Sequence, residues 1–241
     1  MYNGVMINST VIEICIGNID DAIKAASYPI DRIELNSALE LGGLSPSLET
    51  IRTLKKKIDV PLCCMCRLRG GDFHYSELEY RTMLKDAEAM LKAGADGIVF
   101  GFLKADRTVD TERTKTMADL IHSYGKEAVF HKAFDETEDL DRSARELISC
   151  RIDRILTGGK AVYPDILKGC RILRGLHDSY HERISFLPGG GVRVENVKEV
   201  LRISGCGQVH MTSKRQSEGG YLELDEAQLQ EMLKEIASLN N

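Results

Sequence analysis

The chain has no tryptophan, five prolines and no apolar run near the ~18 residues of a membrane-spanning helix. The missing tryptophan excludes nothing by itself, whereas the missing run argues against a helical membrane protein. Cationic excess is lacking too: 32 Lys and Arg stand against 37 Asp and Glu, a formal charge of −5. A surface of that sign attracts neither phosphate backbones nor anionic lipids, so no nucleic-acid and no membrane partner is expected. The first residues, Met1-Tyr2-Asn3-Gly4, lack the basic-then-apolar pattern of a secretion signal. Seven cysteines, an odd number, lie mostly within apolar runs, so reduced thiols in the cytoplasm are expected.

What is present is an alternation. Runs with strand character begin at positions 11, 32, 62, 96, 127, 153, 183 and 207, each followed by a helix-periodic segment or its start. Ser45-Pro46 suits a helix start, with Ser at the cap and Pro at the first helical position. Ser76 and Glu79 read as a capping box, and 164–177 and 225–239 read as helices. Eight such units, with no linker-like stretch between them, predict one α/β domain over 1–241, a (β/α)8 TIM barrel. A doubly wound open sheet is the alternative. It is disfavoured because no strand opens a Gly-x-Gly-x-x-Gly turn.

Barrel strands alternate between interior and helix layer, and their C-terminal ends build the site. Glu13 and Cys15 share one face of the first strand, and Glu34 and Asn36 share one face of the second. Carboxylates between sheet and helices would be costly, so both glutamates are expected inside, where they can meet Arg67. His131, Lys132 and Asp135 follow strand five, and His210 sits on strand eight. Glu13, Glu34, Arg67, His131, Asp135 and His210 are therefore the candidate catalytic residues. The competing interpretation is a plug, with Glu13, Glu34 and Arg67 satisfying one another to close the barrel. His122, His177 and His181 fall on helix ends or loops and read as surface residues.

In Arg67-Leu68-Arg69-Gly70-Gly71-Asp72, two guanidiniums need anionic partners, either protein carboxylates such as Asp72 or a ligand. Glycine-rich stops follow strand six, at Thr157-Gly158-Gly159, and strand seven, at Gly189-Gly190-Gly191-Val192. Exposed N–H groups after strand seven suit a phosphate, although a tight turn explains the glycines equally well. Together, Arg67, Arg69, Gly158, Gly159, Gly189, Gly190 and Gly191 are the candidate site for a small anionic ligand. Cys64 and Cys66 share a strand face and either hold Cu(I) or, if Met65 and Arg67 point inward, face the helices as small hydrophobes.

The blocks Glu13-Ile14-Cys15-Ile16, Arg32-Ile33-Glu34-Leu35, Gly42-Gly43-Leu44-Ser45-Pro46-Ser47, Arg67-x-Arg69-Gly70-Gly71-Asp72-Phe73, Phe130-His131-x-Ala133-Phe134-Asp135, Arg154-Ile155-Leu156-Thr157 and Gly189-Gly190-Gly191-Val192 resemble the CutC family. They run in order over almost the whole chain. The resemblance implies a (β/α)8 barrel, a cytoplasmic homo-oligomer and a role in copper homeostasis, with Cu(I) as the metal attributed to some members. Cys15 matches one cysteine proposed to bind copper. Asn36 stands where the family usually has the other cysteine, Leu68 where it has Pro, and Lys132 where it has Arg. A small anionic ligand or copper is accordingly the expected partner.

Overall fold

The computed structural model describes residues 10–161 and 163–240. The segment Met1–Gly4, considered above for a signal, lies outside the described residues. Eight parallel strands line up in the order β7-β6-β5-β4-β3-β2-β1-β8. They are β1 (Val11–Ile16), β2 (Arg32–Leu35), β3 (Leu62–Met65), β4 (Gly97–Phe100), β5 (Glu127–Phe130), β6 (Arg154–Thr157), β7 (Ser185–Pro188) and β8 (Gln208–Met211). The seam between β7 and β8 carries a side-chain bond, Gln208 Nε2 donating to the Phe186 carbonyl at 3.1 Å. The result is a nearly closed (β/α)8 barrel, as the alternation of strand and helix segments requires.

Helices α1 (Ile19–Ala25), α2 (Leu48–Lys55), α3 (Glu77–Ala93), α4 (Thr111–Ser123), α5 (Leu140–Ser149), α6 (Leu167–Tyr180), α7 (Val197–Ser204) and α8 (Glu226–Ala237) follow the strands. The predicted box at α3 is present: the Glu79 N–H donates to Ser76 Oγ, and the Ser76 N–H to Glu79 Oε2. At α2 the cap is Ser47, not Ser45. Ser45 instead ties its loop to the end of β3, accepting from the Arg67 N–H at 2.9 Å and donating its own N–H to the Arg67 carbonyl. Helix α6 begins at Leu167, three residues after the expected start. A short antiparallel hairpin, β9 (Lys214–Gln216) with β10 (Leu222–Leu224), joins β8 to α8 and was not foreseen.

Period-two alternation divides the buried side chains. Ile12, Ile14, Ile33, Leu35, Ile98 and Phe130 face the helices in one large apolar cluster. Full burial of each contributes about 1.5–3 kcal/mol, so this layer dominates stability. Cys64 and Cys66 belong to it, and Cys66 Sγ donates to the Met83 carbonyl of α3. Inside the barrel, Cys63, Met65, Val99 and Val129 form a separate small cluster. Apart from Leu156 and Leu187, most of the remaining interior is polar.

Candidate functional site

Glu13, mid-strand on β1, is 2% exposed and is held from two sides. Arg32 Nε donates to its Oε2 at 2.5 Å, and Arg154 NH2 stands 3.9 Å away. Arg154 also reaches Glu127 Oε2 at 2.6 Å, so β1, β2, β5 and β6 are joined inside the barrel. Neither arginine was foreseen in this role, although both share a strand face with residues that line the mouth. Burial pushes the Glu13 carboxyl up, but Arg32, His210 and Arg154 outweigh it and hold the group well below the ordinary carboxylate range.

The other oxygen of Glu13 meets His210 Nδ1 at 2.7 Å, which points Nε2 toward Glu34 Oε2, 4.0 Å away. Burial works against a charged imidazole here. The carboxylates of Glu34 and Glu13 outweigh it and raise the His210 pKa. Glu34 is raised as well, chiefly by burial and then by Glu13, with His210 and Asn36 pulling the other way. Glu13, His210 and Glu34 thus set one another's protonation.

Above this chain lies a cavity of about 190 Å³ at the C-terminal ends of the strands. Cys15, Glu34, Asn36 and His210 line it, joined by His131 and Lys132 from the end of β5. Met65, Leu156, Leu39 and Phe73 supply its apolar surface. His131 is fixed by its own turn, Nδ1 accepting the Ala133 N–H at 3.1 Å, so its proton resides on Nε2. The ring lies 4.7 Å from that of Phe73, and Gly101 leaves room for it, since a Cβ there would come within 2.5 Å of His131 Cε1. Burial and then the Arg67 charge lower its pKa to about 3, so the imidazole is neutral.

Four buried polar atoms of residues lining it have no hydrogen-bond partner among the described residues: Glu34 Oε1, Asn36 Oδ1, His131 Nε2 and Arg67 Nε. Buried polar groups are nearly always paired, so four around one cavity mark a place for a ligand's own donors and acceptors.

The remaining sequence candidates sit around this centre. Arg67 does not meet Glu13 or Glu34. Its guanidinium donates to the carbonyls of Leu41, Gly42, Gly43 and Gly71, clasping two loops over the mouth, and stacks 4.9 Å from the Phe73 ring. Loop carbonyls are invisible to residue-type reasoning, which therefore paired it with carboxylates. Arg69 lies outside the inner cavity, bonded to Glu79 at 2.6 Å and to Asp72. Asp135 collects the Thr157 hydroxyl at 2.5 Å, the Gly158 N–H at 2.9 Å and the Lys132 ammonium at 2.9 Å. Gly159 donates its N–H to Thr157 Oγ1, so the turn after β6 is internally bonded. Gly190 and Gly191 take φ of +97° and +106° and border a second hollow of about 130 Å³ with Arg193 and Thr212. That hollow shares Lys132 and His210 with the inner cavity, and Gly189 lies against His210 and Leu156.

Copper is the metal implied by the family resemblance. Ligand atoms of Cys15, Glu34 and His210 lie within 4.8 Å of one another. As they stand, these donors fit Cu(I) poorly. Burial and then Glu34 hold the Cys15 thiol protonated, and the carboxylates of Glu34 and Glu13 favour the charged form of His210, which does not coordinate through a free lone pair. The position beside Cys15 is an amide whose Nδ2 points at the sulfur from 3.5 Å. One thiol with the Met65 thioether nearby is a sparse soft set.

Fold and mouth together define a class: a (β/α)8 barrel whose strand ends enclose a buried acid–base cluster. Within that class the chain belongs to the CutC family, whose model matches residues 10–215. A CutC family protein of Treponema denticola is 40% identical over 207 residues, covering 86% of this chain and 82% of that protein. One from Mesorhizobium japonicum is 39% identical over 204 residues, 84% of this chain and 77% of the relative. A solved CutC structure from Streptococcus agalactiae, to which copper homeostasis has been attributed, superposes with a TM-score of 0.77 at 30% identity, covering 83% of this chain and 97% of that one. Deoxyribose phosphate aldolase from Aeropyrum pernix, with a TM-score of 0.64 at 15% identity over 97% of this chain and 92% of that one, shares the fold alone. Among the described residues no helix is long and apolar enough to cross a membrane.

Proposed function

We propose that the barrel mouth is an acid–base catalytic site for a small anionic metabolite. The observation that carries this is the Glu13–His210–Glu34 chain ending in a free Glu34 oxygen on an enclosed cavity. A plug would have spent that oxygen on a protein donor. In this reading Glu34 exchanges a proton with the ligand, His210 supplies or accepts it through Nε2, and Glu13 holds the imidazole in place. Two carboxylates in different environments are how one site carries both an acid and a fixed anion. The ligand's anionic end belongs in the hollow beside Gly190, Gly191, Arg193 and Lys132, at the place where barrels commonly hold phosphate. Six of the seven cysteines are buried and all are free, which suits a reducing compartment such as the cytoplasm.

The test is a thermal-shift screen of small carboxylates and phosphate esters on wild type and Glu34→Gln, with each hit then followed for turnover. Binding retained and turnover lost in Glu34→Gln is the expected result. A bound compound turned over equally by both proteins overturns the assignment.

A second reading, Cu(I) handling, is favoured by the Cys15–Glu34–His210 cluster and requires Cys15 and Met65 as its soft pair. Competition against a calibrated Cu(I) chelator under reducing conditions separates the two. Tight binding lost in Cys15→Ser supports copper, and weak binding indifferent to that change removes it.

A further inference from the structure

The four unpaired atoms around the cavity differ in kind, and their kinds describe a ligand. Glu34 Oε1 accepts, as does Asn36 Oδ1, while His131 Nε2 and Arg67 Nε donate. The Asn36 orientation follows from its Nδ2, which donates to Glu34 Oε2 at 2.8 Å and so leaves the carbonyl oxygen over. The matching ligand presents oxygen acceptors to His131 and Arg67, a hydroxyl donor to Asn36 and an acidic proton to Glu34. Resting on the acid–base reading above, we infer that the site binds short α-hydroxy aldehydes or ketones and enolises them.

The chemistry closes without a cofactor. The Glu34 carboxylate takes the proton from the carbon bearing the hydroxyl. The C–H pair becomes the C=C bond of an enediolate, and the carbonyl π pair moves onto oxygen. His131 Nε2–H is aligned for that oxygen. A neutral imidazole suits the task, because it stabilises the developing charge while keeping its own proton. Return of the proton to the same carbon regenerates the compound or its epimer. Return to the neighbouring carbon, with a proton passed between the two oxygens, gives the 1,2-isomer. No electrons leave the ligand in any branch. The cavity, about 190 Å³, is smaller than the ~300–1,000 Å³ of drug-sized pockets, which limits the reacting part to a few carbons.

Deuterium uptake from D2O, followed by proton NMR, tests the step directly. The probes are glycolaldehyde, glyceraldehyde, dihydroxyacetone, erythrose and the terminal phosphates of the last three. The expected result is exchange at the hydroxyl-bearing carbon of at least one probe, about 100-fold or more above buffer. Glu34→Gln should return it to the buffer rate, and His131→Gln should slow it about 100-fold, as loss of an oxyanion donor does. Thermal melts establish that each variant is folded, and Glu34→Asp substitutes if Glu34→Gln is not. Buffer-level exchange of every probe in wild type overturns the enolisation. If the thermal-shift screen has by then found a compound turned over through Glu34, the acid–base reading survives that result. Exchange that persists in folded Glu34→Gln removes Glu34 from the step.

Discussion

The Asn36 amide bonds Glu34 and points Nδ2 at the Cys15 sulfur from 3.5 Å, so it supplies a hard group beside a protonated thiol. Exchanging it for a cysteine would put two sulfurs where Cu(I) wants them. Asn36→Cys is therefore expected to tighten Cu(I) binding at least about tenfold, ~1.4 kcal/mol, in the chelator competition. Equal affinity of wild type and variant would mean that Met65 or Cys63 already supplies the second soft ligand. Much at this scale was legible from alternation alone: Glu13, Cys15, Glu34 and His210 all share the interior because period two leaves them no other face. The partners of Arg67 were not legible, since backbone carbonyls of a folded loop have no residue-type signature.

At the scale of elements, the strands could be read because β-branched runs stop at glycine or proline. The β9–β10 hairpin could not, since Lys214–Gln216 is fully exposed and β10 is three residues long. Loop ties were equally hidden, and the turn after β6 shows the cost. Asp135 gathers the Thr157 hydroxyl, the N–H groups of Gly158 and Lys160, and the Lys132 ammonium, fastening the end of β5 to the end of β6. Its removal strands several donors at once. Asp135→Ala should lower the unfolding free energy in urea by about 2–3 kcal/mol. Asp135→Asn, which keeps an acceptor, should cost less. If Asp135→Ala melts like wild type, water replaces the carboxylate and the tie is not structural.

For the whole molecule, two buried groups on one cavity push stability in opposite directions with pH. His131 has its ordinary value of 6.5 lowered to about 3, so the unfolded chain binds a proton there that the native state refuses. Its contribution is present above 6.5 and is lost as pH falls toward 3. Glu34 is raised above 4.5, so the native state binds a proton that the unfolded chain has released. Its contribution is complete below 4.5 and is lost as pH rises toward the folded value. In the window from 4.5 up to the folded value of Glu34 the two slopes oppose each other. Glu13, lowered, acts below that window, and His210, raised, acts above it. Wild type should accordingly show a shallower rise with pH there than Glu34→Gln by urea unfolding. Glu34→Gln exposes the His131 slope, and stability rises with pH. His131→Gln exposes the Glu34 slope, and stability falls with pH. One whole proton corresponds to about 1.4 kcal/mol per pH unit, so the His131 slope approaches that figure, and the two variants should differ in the sign of their slopes. Surface groups titrate alike in all three proteins and cancel from the comparison. Parallel profiles would mean that both groups titrate as they do in water, and the cavity would then be open to solvent and unable to lower His131 or raise Glu34.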